Sequence, residues 1–279
     1  MGEVRPNWAK RKLLAGQPIL APGLGAGSIP DLDTLEMLAA QGTFDMAWVE
    51  MEHGPWTWRE LSDISRVCDL WGVSSAARVN LNEPAIISRT LDRGIQGVLV
   101  PHVNSKAEAE RAVSGALYPP AGIRGAASPR QLYGVDRSPE SNWIQKANDE
   151  VFVMVLLEER DVLRPDVLRE ILTVPGIDVF FVGPGDLSLT MGPRYAMQAN
   201  HPEVQAIVRG ALERIIGEGK HAGTLVNDNN VEDFLKLGVR FLRYTATAYL
   251  VNGLREFQKK AIGSVPAWQV TAQAGSAPR

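Results

Sequence analysis

The sequence predicts a (β/α)8 barrel, on three observations. Short β-branched apolar runs recur eight times, separated by longer amphipathic segments, which is the repeat of a parallel α/β protein. The apolar runs are mostly continuous rather than alternating, as strands covered on both faces require. At 279 residues, 45% hydrophobic and 22% charged, the chain suits one large domain with a sizeable core better than two small ones. An open doubly wound sheet is the second choice. A dinucleotide-binding sheet is disfavoured because Gly23-Leu24-Gly25-Ala26-Gly27-Ser28 lacks the G-x-G-x-x-G spacing and reads as a strand-to-helix turn.

In chain order, the candidate strands are 19–24, 46–49, 74–78, 97–100, 152–157, 179–182, 222–226 and 241–244. Helix-like periodicity marks 31–40, 58–71, 84–93, 106–117, 202–218 and 231–237 among the segments between them. Two regions depart from the unit. Residues 118–150 carry Pro119-Pro120, Gly122, Gly125, Pro129, Gly134 and Pro139, with Arg124 and Arg130 among them, a connection long enough to be functional or interfacial. Residues 264–279 are rich in Ala, Gly, Ser and Pro and are expected to form a mobile tail after a single barrel domain over 1–263.

Composition removes several functions. A formal net charge of -3 offers no broad basic face for nucleic acid. The single cysteine, Cys68, excludes a disulfide within the chain and a Cys-based metal site, and its apolar helical setting makes it a core residue. No window approaches the ~18 apolar residues of a membrane span, and residues 1–12 are polar and charged without a signal-type apolar core. A soluble, cytoplasmic protein acting on small molecules is the expectation.

The chemistry concentrates where strands end, at the barrel face that gathers catalytic groups. The run from Phe44 to Val49 stops in Glu50-Met51-Glu52-His53-Gly54-Pro55. Read alone, Glu50 and Glu52 could solvate a loop while His53 caps a turn. Three further strand ends supply complementary groups. The fifth run ends in Glu158-Glu159-Arg160 and the sixth in Gly183-Pro184-Gly185-Asp186, so neighbouring barrel strands bring Glu158 and Asp186 to one side of the mouth. Two carboxylates without a His or Cys cluster suit a hard cation such as Mg2+ or Mn2+. The bland readings are an ion pair of Glu158 with Arg160 and a helix N-cap at Asp186. Backbone N–H groups around Gly183, Pro184 and Gly185 suit a carboxylate or phosphate. The third run ends in Arg78, a forked cation for a carboxylate or an enolate oxygen, or else a structural ion pair. Together a base, a cation and a metal pair suit enolate formation from a 2-oxo acid, with His53 moving the proton. His102, after Pro101, is a lesser candidate for the mouth.

These segments resemble the metal-dependent class II 2-oxo acid aldolases of the HpcH/HpaI family. The resemblance spans about residues 7–257 and rests on the order and spacing of Phe44-Asp45 through Glu52-His53-Gly54-Pro55, Arg78-Val79-Asn80, Tyr118-Pro119-Pro120 with Gly122-Ile123-Arg124-Gly125, Glu158, Gly176-Ile177-Asp178 through Gly183-Pro184-Gly185-Asp186-Leu187-Ser188, and His201-Pro202-Glu203-Val204. It implies a barrel that exchanges its last helix with a neighbour, in a homo-oligomer of trimeric or hexameric order. It also implies a divalent metal (Mg2+ or Mn2+, with Co2+ an option) on Glu158 and Asp186, pyruvate contacted by Arg78, and His53 as the acid/base group. The substrate carboxylate then sits against Gly183, Pro184 and Gly185, and the reaction is reversible cleavage of a 4-hydroxy-2-oxo acid into pyruvate and an aldehyde.

This chain departs from the family pattern at several places. Glu50 stands where the family usually has an Asp that orients and tunes the histidine. Leu156 replaces a common Gln, Glu159 follows where a small residue is usual, and Ala126-Ala127-Ser128-Pro129 replaces a more glycine-rich stretch. Trp56 and Trp58 add bulk on the aldehyde side, and Glu52 reads as a group that steadies the turn rather than a metal ligand. Two other readings stay open: a decarboxylase of oxaloacetate-like acids using the same enolate, and a carboxylate-binding barrel without turnover.

Overall fold

The two-residue period of each strand sorts its side chains into an inward and an outward row, and both rows are apolar here. The structure, a computed structural model, describes residues 2–25 and 28–263. Its strands are β1 (Ile19–Leu24), β2 (Met46–Glu50), β3 (Ser74–Arg78), β4 (Gly97–Val100), β5 (Phe152–Leu157), β6 (Val179–Val182), β7 (Ala222–Leu225) and β8 (Phe241–Tyr244). They pair in parallel in chain order, and β8 closes onto β1 with Ile19 beside Phe241. The barrel is therefore the expected (β/α)8 type, and the open sheet is set aside by that closure.

The helices are α1 (Trp8–Leu14), α2 (Leu32–Ala40), α3 (Trp58–Leu70), α4 (Pro84–Asp92), α5 (Lys106–Ala116), α6 (Trp143–Asp149), α7 (Pro165–Leu172), α8 (Pro184–Thr190), α9 (Pro202–Gly217), α10 (Val231–Leu237) and α11 (Ala246–Ile262). Their starts follow ordinary capping chemistry. Asp31 accepts from the Thr34 N–H at 2.7 Å, Ser105 accepts from Glu108 N–H, and Thr57 with Glu60 forms a capping box. Proline opens α4, α7, α8 and α9, where its missing N–H costs nothing.

The inward row forms a closed apolar plug that includes Met46, Trp48, Phe152, Leu156, Phe181 and Phe241. Trp48 packs on Phe181 with ring centroids 5.0 Å apart, and Phe181 meets Phe241 edge-on at 6.2 Å. The outward row, with Val49, Ala77, Val98, Val153, Val155, Phe180 and Leu242, packs beneath the helices. Helix α1 closes the end where the strands begin: Ala9 N–H donates to Ser74 Oγ at 3.1 Å, and Lys10 pairs with Asp178 at 3.1 Å. The opposite end stays open.

Strand β2 extends one residue past its apolar run because Glu50 pairs in register with Arg78, while β7 stops at Leu225. Cys68 is buried in the core as expected, and burial pushes its thiol up to about 12. The long connection after α5 is not a loop of this barrel's mouth. It leaves the end of a helix, so it runs beneath the face where the strands begin, and its arginines take structural partners: Arg124 pairs with Asp92 at 2.8 Å and stacks on Tyr118, and Arg130 pairs with Asp69. The tail expected over 264–279 lies outside the described residues. Among the described residues no helix is long and apolar enough to cross a membrane.

Truncating the plug is expected to be costly. Phe241 is fully buried against Trp48, Phe152 and Phe181, so Phe241→Ala should lower unfolding free energy by about 3–5 kcal/mol in urea titration.

Candidate active site

At the open end, the inward rows continue by one more step of two residues, and the side chains change character. Trp48 is followed by Glu50, Ala76 by Arg78, Leu156 by Glu158, Phe181 by Gly183 and Phe241 by Arg243. These groups, with Pro184, Gly185, Asp186 and Leu225, line a cavity of about 160 Å³ whose floor is Trp48, Leu156 and Phe181. Charged chemistry therefore sits directly on an apolar plug.

Glu50 organises one wall. Its buried carboxylate takes Arg78 in a forked geometry, Nε at 2.8 and 3.0 Å and Nη2 at 2.8 Å. It also accepts the backbone N–H groups of Glu52 at 3.0 Å and His53 at 3.2 Å. Glu52 pairs with the far side of Arg78, Nη1 at 3.0 Å. Burial alone would lower the Arg78 pKa, but Glu50 and Glu52 outweigh it and hold the guanidinium firmly charged. Gly54 is required for this turn, since a Cβ there would stand 2.0 Å from the Glu50 carbonyl oxygen.

His53 stands at the rim, its side chain 63% exposed, with Nε2 3.8 Å from Glu52. Glu50 thus reaches His53 through its backbone N–H. Trp56 does not line the cavity: its Nε1 donates to the Leu24 carbonyl at 3.1 Å, closing the turn over Gly25, whose φ of +86° and lack of a Cβ admit the indole. Sequence reasoning placed Trp56 at the substrate, and the structure gives it this bracing contact instead.

Glu158 and Asp186 meet in the cavity. Glu158 is buried, and Oε1 accepts the His102 N–H at 3.0 Å. The His102 ring lies 3.6 Å from Glu158, 3.5 Å from Glu159 and 3.5 Å from Glu52, so this lesser candidate is at the mouth after all. Desolvation lifts the Glu158 pKa to about 7; the His102 N–H and ring oppose the rise, Asp186 adds to it, and Arg78 opposes it. Gly183 is needed beside it, because a Cβ would lie 2.9 Å from Glu158 Cβ.

An all-oxygen pair whose buried member is disfavoured as a free anion fits a hard divalent cation. Among the described residues no group of three or more His, Cys, Asp or Glu side chains is placed to hold a metal. Glu158 and Asp186 would supply two ligands, leaving the remaining positions to water or substrate.

Residues 32–251 match the HpcH/HpaI aldolase/citrate lyase family. The chain is 37% identical over 238 residues to a 4-hydroxy-2-oxo-heptane-1,7-dioate aldolase of Shigella flexneri, covering 85% of each protein. The chain belongs to this family. Its fold superposes on an HpcH/HpaI aldolase from Desulfitobacterium hafniense DCB-2 with a TM-score of 0.78 at 26% identity, covering 92% of this chain and 98% of the other. A family protein from Burkholderia cenocepacia J2315 gives 0.80 at 26%, covering 91% and 98%. Membership makes the chain a carbon–carbon lyase and a divalent metal its expected cofactor.

Four cavity residues were not legible as candidates in the sequence: Trp48, Phe181, Leu225 and Arg243. The signal for Trp48, Phe181 and Arg243 was the two-residue period, since each shares its strand's inward row with a plug residue, Met46, Val179 or Phe241.

The raised Glu158 pKa sets a pH dependence for metal-free protein. The folded state binds this proton more tightly than the unfolded chain, so the stabilisation is full below about pH 4.5 and is lost as pH rises through about 7. Urea titrations of chelator-treated protein at pH 5 and pH 8 should show Glu158→Gln gaining on wild type by about 2 kcal/mol at the higher pH.

Proposed function

We propose that this carbon–carbon lyase is a divalent-metal-dependent aldolase that cleaves, and in reverse forms, 4-hydroxy-2-oxo acids through the enolate of pyruvate. The observation that supports it most is one cavity where Glu158 and Asp186 share a dry floor with Arg78. The name of the Shigella flexneri relative points the same way. Glu158 and Asp186 would hold Mg2+ or Mn2+, which would supply Lewis-acid charge for the 2-oxo acid.

The chain's own residues do the rest. Arg78, fixed by Glu50 and Glu52, keeps outward N–H groups for the C2 oxygen as negative charge develops there. In the stretch Gly183-Pro184-Gly185 the Gly185 N–H takes the C1 carboxylate, since Pro184 has no N–H and Gly183 donates to the Leu157 carbonyl at 3.2 Å; a Cβ on Gly185 would meet nothing within 4 Å, so the approach is open. Trp48, Leu156, Phe181 and Leu225 keep water from C3. His53 accepts the proton of the C4 hydroxyl, the C3–C4 bond breaks, its electron pair becomes that of the enolate, and the aldehyde leaves. A proton delivered to C3 then yields pyruvate. Glu50 positions both the cation and the His53 backbone, and Glu52 backs Arg78.

We further propose that the chain assembles as a trimer or hexamer through α11. Leu250, Leu254, Phe257 and Ile262 on this helix are exposed on the single chain, and α11 buries none of its residues. A monomer in light scattering would overturn this assembly.

Incubation with Mg2+ and a 4-hydroxy-2-oxo acid should release pyruvate and aldehyde together. Carbon dioxide from oxaloacetate, with no aldehyde from the hydroxy acid, would favour decarboxylation instead. His53→Ala should lower cleavage by about 10² or more while Mn2+ and pyruvate still bind. Glu158→Ala should lose Mn2+ in titration, and unchanged affinity would overturn the metal site.

A further inference from the structure

Among the described residues, three other than glycine hold a positive φ: His102, Asn142 and Met197. Asparagine tolerates that conformation, and Met197 lies on the surface, 84% exposed. His102 is the one at the barrel mouth, in the turn that leaves β4. Backbone strain of this kind persists where the surroundings over-determine it, and it collects at functional sites.

Two fixed neighbours hold it there. Pro101 is buried, and Val103, fully buried, donates its N–H to the Leu156 carbonyl of β5 at 3.1 Å. One residue is left to make the turn between these anchors. With φ at +51°, that residue aims its N–H at Glu158 Oε1, 3.0 Å away.

The consequence falls on Glu158. The N–H stabilises its carboxylate as an anion and engages one of its two oxygens. The other, Oε2, faces Gly183, where a Cβ would stand 3.1 Å from it. Gly183 is the N-cap of α8, whose first turn carries Asp186. One oxygen is thus held by the backbone while the other is presented on the side of the second metal carboxylate. A carboxylate so restrained offers a cation one oxygen rather than two. That suits the octahedral demand of Mg2+ or Mn2+ and works against Ca2+, which takes bidentate carboxylates in a larger, looser shell.

We propose that His102 is a positioning residue acting through its backbone: its left-handed turn restricts Glu158 to one-oxygen coordination and so selects a small divalent cation over Ca2+. This rests on the reading of Glu158 and Asp186 as the metal pair, but the contact itself can be observed in metal-free protein. The ring is not the agent. It is half-exposed, with Nδ1 3.6 Å from Glu158 Oε1, longer than a hydrogen bond, and it lies 3.5 Å from both Glu52 and Glu159.

Calorimetric titration of the full chain with Mn2+ and with Ca2+ separates backbone from ring. Glycine and asparagine adopt the left-handed conformation readily, whereas β-branched residues do not. His102→Gly and His102→Asn should therefore keep the Mn2+ affinity of wild type and its preference over Ca2+. His102→Val and His102→Thr should lose about 10-fold or more in Mn2+ affinity, the range for losing a contact that orients a metal ligand, and the preference over Ca2+ should shrink with it. Two β-branched variants are used so that a folding failure of one leaves the test intact. In metal-free protein labelled with nitrogen-15 at its four histidines, the backbone amide signal assigned to His102 by its absence from His102→Asn should move upfield in Glu158→Gln. Equal losses in the glycine, asparagine and β-branched variants would place the effect in the ring and overturn the proposal. So would an unchanged Mn2+ affinity in both β-branched variants, or an amide signal indifferent to Glu158→Gln. Mn2+ binding that survives Glu158→Ala overturns the metal reading instead, and the amide signal still reports the contact.

Discussion

Everything at the mouth depends on the alternation that a closed parallel barrel imposes on its strands. A residue two positions beyond a plug residue must point the same way, and it must do so one layer higher. Met46, Trp48 and Glu50 form one such row, and Met154, Leu156 and Glu158 another. Because the lower members are large and apolar, the upper ones are lifted out of the core without reaching bulk water. A carboxylate at that level is desolvated, as the raised Glu158 pKa records, and every charge there must find a partner. The cavity lies where a dry plug meets charged residues that the strand period forces inward.

The ion pair of Glu50 with Arg78 is the first answer to that demand. It is set by strand register, since the two residues are direct partners between β2 and β3. Glu50 also holds the N–H groups of the turn that carries His53, so the same carboxylate fixes the cation and the entry of the rim segment. With Glu50 so engaged, the His53 imidazole is left to Glu52, 3.8 Å away, and to solvent. A side chain one methylene longer than aspartate reaches across to Arg78 while its carboxylate still caps the turn. The departure from the family pattern at this position is therefore legible as an anchoring role.

Most of the barrel could be read from the sequence because strand burial on both faces leaves uninterrupted apolar runs. Strands β1, β3, β4, β5, β6 and β8 begin and end where those runs do. The error at β2 has a cause outside local propensity: Glu50 joins the ladder because Arg78 is opposite. Helix α8 starts earlier than the N-cap the sequence offered at Asp186: Gly183 is the N-cap, Pro184 opens the helix and Asp186 stands in its first turn, in a helix of only seven residues. The long segment 118–150 read from its length and arginines as functional or interfacial; in the fold it leaves a helix rather than a strand, and its cations brace α3 and α4. Glu158 and Asp186 were visible because each closely follows a strongly apolar strand, Glu158 directly after β5 and Asp186 in the first turn of the helix after β6. Arg243 was not, because a lone arginine in the short strand Phe-Leu-Arg-Tyr looks like an exposed edge residue until the barrel closes around it.

The two arginines of the cavity show how one residue type takes two roles from its surroundings. Arg78 is neutralised within the protein, so its charge is a fixed part of the wall, and a ligand sees only its outward donors. Arg243 carries the same charge with a hydroxyl and an aromatic face for company, and the protein pays its desolvation without recovering it through an ion pair. The strand period thus sets one arginine opposite a carboxylate in register and the other beside an aromatic face, and the wall of the cavity takes its charge from that difference.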